Sequence, residues 1–319
     1  MALRSAPDSA GELQIRSLGE ADVDAADRVM RLAFGTFLGM PEPESAFGDT
    51  EFVRSRFAAD RSRAFVAELG GEVVGSVFAS RWGSYGWFGP LSVRPDLWDR
   101  GIAKRLLEPV IDIFTRWDVT LAGLFTFAQS AKHVGLYQSF GFWPQSLTPV
   151  MSRAPAAGPP PDTFGSLAAH ERDAALAACR GVTGTIFPGL DVSDEIRAAD
   201  ELALGDTVLL RERDTLIGLA VCHCGAGEAG SGFCYAKFGA VAPGPRAAER
   251  FERLLDACEA LASARGLGHV VAGVNTACHD AYRRLLARGY RTAFQGVIMQ
   301  RPNAPGFCRP DVYVLDDLR

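Results

Sequence analysis

The stretch that decides the fold runs from Leu91 to Ala103 and reads Leu-Ser-Val-Arg-Pro-Asp-Leu-Trp-Asp-Arg-Gly-Ile-Ala. It predicts an apolar strand that turns at Pro95 and leads into a long amphipathic helix near Gly101. The first N–H groups of a helix have no partner within the helix and carry a partial positive charge, and small residues let an anion approach the backbone closely. We therefore expect an anion site at this turn, with a phosphate-bearing ligand as its first candidate.

Composition limits the class of protein. The chain has 319 residues, of which 48% are hydrophobic, enough for two globular domains with buried cores. Its formal net charge of -5 argues against nucleic acid or an anionic membrane as a partner. Residues 1–12 lack the apolar core of a secretion signal, and no later segment has the uninterrupted apolar length that spans a bilayer. We expect a cytoplasmic protein.

The seven cysteines all lie in the second half of the chain, and none are spaced as Cys-x2-Cys. Their odd number and their spacing argue against a disulfide framework and against a structural zinc site. The densest group is Cys222-His223-Cys224, whose two thiols would share one face of a strand. Buried thiols without a metal are the favoured interpretation.

The sequence contains an internal repeat. When Val93-Arg94-Pro95 is aligned without gaps on Val241-Ala242-Pro243, the pair Leu106-Leu107 falls on Leu254-Leu255. Each copy has the pattern of a hairpin upstream of this motif. Downstream, each has an apolar strand and a helix that ends at Gly followed by an aromatic residue, and Gly suits the end of a helix.

Between the two copies, the Pro-rich segment 154–162 favours neither a helix nor an inner strand. We therefore predict two domains, 1–153 and 163–319, joined by the linker 154–162. Each copy reads as strand, helix, hairpin, strand, helix, strand, helix, strand, which indicates an α+β fold with a mixed sheet flanked by helices. The last strand of the first copy lacks a partner, whereas the second copy has two late strands, 297–300 and 312–315. The sequence leaves open which domain the last strand completes.

Two motifs of the first copy carry a family resemblance. One is Trp98-x-x-Gly101-x-Ala103 at the expected anion site, and the other is Ser130-x-x-His133-x-x-Leu136-Tyr137-x-x-x-Gly141-Phe142 on a later helix. In this order, between the predicted strands, they resemble the GCN5-related N-acetyltransferase (GNAT) family, and the repeat extends that resemblance to two tandem GNAT folds. The resemblance implies acetyl-CoA as co-substrate, a small-molecule amine as acceptor, and no metal.

The resemblance also implies the residues of the site. The backbone of the strand that ends at Val93 would pair with the pantetheine amides as an added strand would. The expected coenzyme-binding residues are Leu91, Ser92, Val93, Arg100, Gly101, Ile102, Ala103, Lys104 and Ser130. Tyr137 would protonate the departing thiolate, and His133, one helical turn earlier, is a second catalytic candidate. Position alone assigns no general base among the loop carboxylates Glu42, Glu44, Asp49 and Glu51.

The second copy lacks these features. In the ungapped alignment Glu249 stands at the position of Gly101, and Phe251 falls two residues further along. Charge repulsion and bulk therefore oppose a diphosphate at this position. Leu285 takes the position of Tyr137. We predict a second domain that binds no cofactor and that supports the first or shapes its acceptor cleft.

Two alternatives to this assignment stay open. Proteins of the mycothiol synthase type also carry two such domains, but the second copy is usually the active one. A non-catalytic acyl-CoA-binding regulatory protein would keep the fold without turnover. Trp98 favours that alternative because it replaces a polar residue, whereas Tyr137 favours catalysis. The sequence identifies neither the acceptor, nor the preferred acyl chain, nor the oligomeric state.

Overall fold

The computed structural model describes residues 12–60 and 63–319. Residues 1–11, on which the prediction about a secretion signal depends, lie outside this part of the chain. None of the helices within it combines the length and the apolar character that crossing a membrane requires.

The elements of the first half follow the periodicities of the sequence. The buried residues of the helix after Gly101 recur three or four positions apart, from Ile102 through Leu106 and Val110 to Phe114, which is the spacing of one helix face. In order, the elements are β1 (Gln14–Ser17), α1 (Val23–Phe37), α2 (Phe52–Ala59), β2 (Ala64–Leu69), β3 (Glu72–Trp82), β4 (Tyr85–Val93), α3 (Ile102–Arg116), β5 (Leu121–Thr126), α4 (Ala131–Gln138) and β6 (Trp143–Arg153).

The second half repeats this order with two differences: its first strand is reduced to a single bridge between Thr163 and Val208, and a short extra strand follows at its end. Its elements are α5 (Ala169–Ile186), α6 (Ser193–Glu201), β7 (Gly205–Glu212), β8 (Thr215–Gly225), β9 (Gly230–Val241), α7 (Ala247–Ala264), β10 (His269–Gly273), α8 (His279–Ala287), β11 (Arg291–Arg301) and β12 (Val314–Asp316). The fold is the expected mixed sheet flanked by helices. Segment 154–162 contains no helix or strand, and its role as a domain boundary stays a prediction.

The two halves exchange strands at the centre of one sheet. The order of the described strands is β1-β2-β3-β4-β5-β11-β6-β10-β9-β8-β7, with β12 paired to β9. Strand β11 lies antiparallel to β5, and β6 lies antiparallel to β10. The two exchanged strands also pair with each other. Each half thus supplies a strand to the other, and β12 stays with its own half, which answers the question that the sequence left open.

Apolar burial holds the exchanged strands in place. Val150 and Met151 of β6 and Val297, Ile298 and Met299 of β11 are all buried. Complete burial of such a side chain contributes about 1.5–3 kcal/mol. The exchange also removes the open strand edges that β5 and β10 would otherwise present.

An aromatic cluster fills the space where the halves meet. Trp82, Tyr85 and Trp87 are almost completely buried, and they share a core with Phe238 and Phe307 of the second half. The ring centroids of Trp82 and Phe238 lie 5.4 Å apart, and those of Tyr85 and Phe307 lie 5.1 Å apart. Aromatic pairs at such distances add to the energy of burial, so this cluster fixes the two halves to each other.

The seven cysteines are free thiols in the structure. Cys222 lies 3.8 Å from Cys258, and Cys224 lies 3.7 Å from Cys234, measured between sulfur atoms. All except Cys224 are buried. Over the described residues, no group of three or more His, Cys, Asp or Glu side chains is placed to hold a metal ion.

Candidate active site

Strands β4 and β5 separate after a short paired stretch. They pair in parallel only where Tyr85–Trp87 faces Leu121–Gly123, although β4 continues to Val93 and β5 to Thr126. Beyond Trp87 the two strands therefore form an open wedge. An extended chain of amides can bind to backbone groups exposed in such a wedge as an added strand would.

The turn after β4 brings the first amides of α3 to this wedge. Gly101 caps α3 with a φ of 77°, in the left-handed region that Gly adopts at no steric cost. Trp98 Nε1 donates a hydrogen bond of 2.7 Å to the Val93 carbonyl, which ties the turn to the end of β4. The N–H groups of residues 102–104 have no acceptor within the helix, so they are available to an anion.

A cavity of about 780 Å³ lies beside the wedge and the turn. Nine of the residues proposed from the sequence line it: Leu91, Ser92, Val93, Gly101, Ile102, Ala103, Lys104, His133 and Tyr137. Arg100 and Ser130 do not line it. The Arg100 side chain is exposed, and the Ser130 hydroxyl accepts the His133 backbone N–H at 3.4 Å, which makes Ser130 the N-cap of α4.

Tyr137 lies on α4 within this cavity. Its side chain is buried, and its ring packs against that of Phe88 with centroids 5.8 Å apart. Burial raises the pKa of the Tyr137 phenol above its ordinary value, and the Thr126 side chain offsets only part of that shift. Tyr137 therefore keeps its proton at neutral pH and is able to donate it.

His133 is half-buried one helical turn before Tyr137. Its ring centroid lies 4.8 Å from that of Phe37 and 6.2 Å from that of Phe127, and its Nδ1 has no hydrogen-bond partner. Burial, and after it the charge of Lys132, lowers the pKa of His133 below its ordinary value. The ring is therefore neutral at pH 7 and able to accept a proton.

Lys132 is a lining residue that the sequence did not identify. Its Nζ lies 2.8 Å from an Asp99 carboxylate oxygen and 5.3 Å from the centre of the Trp98 ring. This position brings a second cation, besides Lys104, close to the open start of α3. The motif gave no signal for it, because only the packing of α4 against the turn places Lys132 there.

The first half of the chain is similar to a known enzyme family. Residues 28–142 match the model of the acetyltransferase (GNAT) family. The chain carries a GNAT acetyltransferase domain. The protein is thus an acyltransferase, and the GNAT family, whose model this domain matches, uses acetyl-CoA. No curated protein sequence matches the chain.

Solved structures match nearly the whole chain. A proposed acetyltransferase from Pyrococcus horikoshii shares 14% identity at a TM-score of 0.66 and covers 98% of this chain and 96% of its own. A GCN5-related N-acetyltransferase from Sphaerobacter thermophilus shares 15% identity at a TM-score of 0.58, with coverages of 95% and 98%. A GCN5-related N-acetyltransferase from Kribbella flavida shares 16% identity at a TM-score of 0.51, and the match covers 93% of this chain and 72% of that one. These likenesses establish the fold, which fits two tandem GNAT units.

In the second half, the residues at the positions of the open turn and of Tyr137 differ in bulk and in charge. Phe251 of α7 and Leu285 of α8 are completely buried. Glu249, in the first turn of α7, forms an ion pair of 2.8 Å with Arg246. The start of α7, which corresponds to the open turn before α3, therefore carries a carboxylate. The buried side chains of Phe251 and Leu285 fill the interior behind it.

The cavity lining does not include the loop carboxylates of the first half, which are Glu42, Glu44, Asp49 and Glu51. Asp49 accepts the Ser231 backbone N–H at 3.0 Å, and hydrogen bonding from Ser231 lowers the pKa of the Asp49 carboxyl. Among the described residues that line the cavity, Asp99 is the one carboxylate, and it is paired with Lys132. We therefore assign none of these carboxylates as the general base.

Arg56 connects the cavity to the second half. Its guanidinium donates to the Gly89 carbonyl of β4 and to both carboxylate oxygens of Glu228, the nearest at 2.8 Å. Lys237 Nζ lies 3.0 Å from the same carboxylate. Burial alone would raise the pKa of Glu228, but the two cations hold it well below its ordinary value. This buried cluster fixes the wall of the cavity to the second half.

His223 gives the fold a dependence on pH. It is buried near Lys237 and Glu228, neither ring nitrogen has a partner, and burial followed by the charge of Lys237 lowers its pKa to about 4. The unfolded imidazole titrates near 6.5, so the unfolded chain binds the proton first as pH falls. The stability that depends on a neutral His223 is therefore complete above pH 6.5 and is lost as the pH falls from about 6.5 to 4. Between pH 7 and pH 5 the free energy of unfolding falls by about 2 kcal/mol.

Urea unfolding of the wild type and of His223→Gln at pH 7 and pH 5 measures this loss. We expect the wild type to lose about 2 kcal/mol more than the variant between the two values. Equal losses in both proteins would show that His223 does not titrate in this way.

Proposed function

We propose that the protein transfers the acetyl group of acetyl-CoA to a small-molecule amine in the cavity of its first half. The observation that carries this proposal is the wedge between β4 and β5, which leads to the open first turn of α3. Such a wedge suits an extended chain of amides, and such a turn suits a diphosphate. The two belong to one ligand, coenzyme A.

In this proposal the pantetheine arm lies along Leu91, Ser92 and Val93, and the pyrophosphate lies on the amides of residues 102–104. Lys104 lines the same cavity and supplies positive charge at the turn, whereas Lys132 is paired with Asp99. Hydrogen bonds from charged donors to phosphate are roughly twice as strong as neutral ones. Gly101 and Ala103 leave room for the ligand to approach the backbone.

The proposed chemistry is direct attack of the amine on the thioester. The bond between nitrogen and the acetyl carbon forms, the bond between that carbon and sulfur breaks, and Tyr137 gives its proton to the thiolate. A free thiol has a pKa near 8.5 and an ordinary phenol one near 10, so this transfer is uphill in water and depends on a Tyr137 hydroxyl held at the developing thiolate. His133, with its unpartnered Nδ1, is the second catalytic candidate.

The second half is proposed to bind no cofactor and to shape the acceptor end of the cavity. Phe294, Leu318 and Arg319 belong to it, and all three line the cavity of the first half. The filled position at Phe251 argues against the mycothiol synthase type, in which the second copy is usually active. The proposed domains keep the boundaries 1–153 and 163–319, and a cytoplasmic location stays a prediction.

Calorimetry with acetyl-CoA, followed by a thiol-release assay with a panel of amines, tests this function. We expect one coenzyme to bind per chain and thiol release to depend on an added amine. Two coenzymes per chain would contradict the assignment of the second half. Binding without release for every amine would favour the acyl-CoA-binding regulatory alternative.

A further inference from the structure

The part of the cavity beyond the coenzyme turn is lined by aromatic rings. The centroids of Phe37 and Phe127 lie 4.7 Å apart, and those of Phe34 and Phe47 lie 5.2 Å apart. Phe294 of the second half remains 42% exposed, although it lies on a strand at the centre of the sheet. Phe37, Phe127 and Phe294 line one cavity, and a mostly apolar concave lining is typical of a ligand site.

The charges of the lining are unfavourable to a cationic ligand. Each lining cation except Lys104 has a partner: Arg56 pairs with Glu228, Lys132 with Asp99, and Arg319 with Asp317. Asp99 is the one carboxylate among the described lining residues, and its partner Lys132 already neutralises it. An ammonium group that entered this aromatic space would lose its hydration and gain no counter-ion, and cation–π contacts with the rings would offset only part of that loss.

We propose that the acceptor is an aromatic amine whose nitrogen is uncharged at neutral pH. This inference rests on the proposed acetyl transfer. An alkyl amine with a pKa near 10.4 must lose its proton before it attacks, and only about 1 part in 2,500 of it is neutral at pH 7. An aromatic amine is already neutral and avoids this step, and its ring packs against Phe37 and Phe127.

The proton balance agrees with the groups in the cavity. When the neutral nitrogen bonds to the acetyl carbon it becomes acidic, and the His133 imidazole, which lines the cavity, accepts its proton. The thiolate takes the proton of Tyr137, and proton exchange then restores both side chains, so the net transfer is from nitrogen to sulfur. A weakly basic imidazole is sufficient for an acidic adduct of this kind, whereas it could not deprotonate an alkyl ammonium ion.

Two isomeric amines give a matched test. 4-Methylaniline and benzylamine have the same formula and each carries one benzene ring, but at pH 7 the first is neutral and the second is a cation. With acetyl-CoA saturating, we expect kcat/KM at pH 7 to be at least about tenfold higher for 4-methylaniline than for benzylamine. This difference should narrow as the pH rises toward 10, because benzylamine then loses its proton. Spermidine should be a poorer acceptor than either.

A variant pair tests the role of the lining. Leu38 lines the cavity and is 51% exposed, so Leu38→Asp adds a carboxylate without disturbing the core. Leu286→Asp is the control, because Leu286 is similarly exposed and is not part of the lining. We expect Leu38→Asp to reduce the preference for 4-methylaniline over benzylamine by about tenfold, through attraction of the cation. The control should keep the preference of the wild type.

The outcomes separate this inference from the proposed function. If acetyl-CoA binds and benzylamine or spermidine is acetylated faster than 4-methylaniline at pH 7, the substrate class is wrong and the function stands. If octanoyl-CoA is preferred to acetyl-CoA and the two amines do not differ, the aromatic lining holds an acyl chain, and the substrate class is again wrong. If no amine releases thiol, the proposed function fails and the inference with it.

Discussion

Replacing Tyr137 by Phe is expected to slow acetyl transfer by about 10- to 1,000-fold, the range that loss of a proton donor produces. The affinity for acetyl-CoA should not change, because the ring and its contact with Phe88 remain. Burial raises the pKa of Tyr137, so the wild-type phenol keeps its proton across the working pH range. Steady-state thiol release gives the rate, and calorimetry gives the affinity.

Tyr282→Phe is the matched control for this substitution. Tyr282 lies on α8, the counterpart of α4 in the second half, and it is not a lining residue of the cavity. We expect this variant to keep the wild-type rate. Equal rates in Tyr137→Phe and the wild type would remove Tyr137 from the mechanism.

Replacing Gly101 by Glu is expected to weaken acetyl-CoA binding at least about 100-fold. A Cβ on Gly101 would meet no atom within 4 Å, so the added side chain has space, although any side chain is strained at this φ of 77°. Its carboxylate would face the diphosphate, and one pair of like charges 4 Å apart costs about 4 kcal/mol near a protein surface. Calorimetry measures the affinity, and thermal unfolding confirms that the variant is folded.

Two further variants separate charge from backbone strain. Gly101→Ala introduces only the strain of a left-handed residue at φ 77°, which we expect to cost stability rather than coenzyme affinity. Glu249→Gly removes the carboxylate from the second half but leaves Phe251 buried beside it. We expect no second coenzyme to bind to that variant. Unchanged affinity in Gly101→Glu would refute the placement of the pyrophosphate.

The sequence predicts those features of the fold that depend on neighbouring residues. The strand before Pro95, the helix after Gly101 and the hairpin around Gly70-Gly71 each have a local cause in periodicity or in a residue of restricted geometry. The structure has all three. The capping role of Ser130 could also have been read from the sequence, because Ser is common at helix N-caps.

The sequence does not predict which strands meet. β11 reads as an apolar strand whether it pairs within its own half or with β5, because both pairings bury the same face. The resemblance likewise gave no sign that Arg56, Lys132 or Leu318 would line the cavity. These contacts join residues that are distant in the chain, and only tertiary packing brings them together.

The exchanged strand has a consequence for synthesis on the ribosome. When β5 leaves the exit tunnel, the partner that covers its edge has not been translated, since β11 begins only at Arg291. At about 5–20 residues per second, the delay lasts on the order of ten seconds. During this time the nascent chain exposes an uncovered edge to chaperones and to other polysomes. A product terminated before Arg291 would lack β11 and would keep this edge of β5 uncovered.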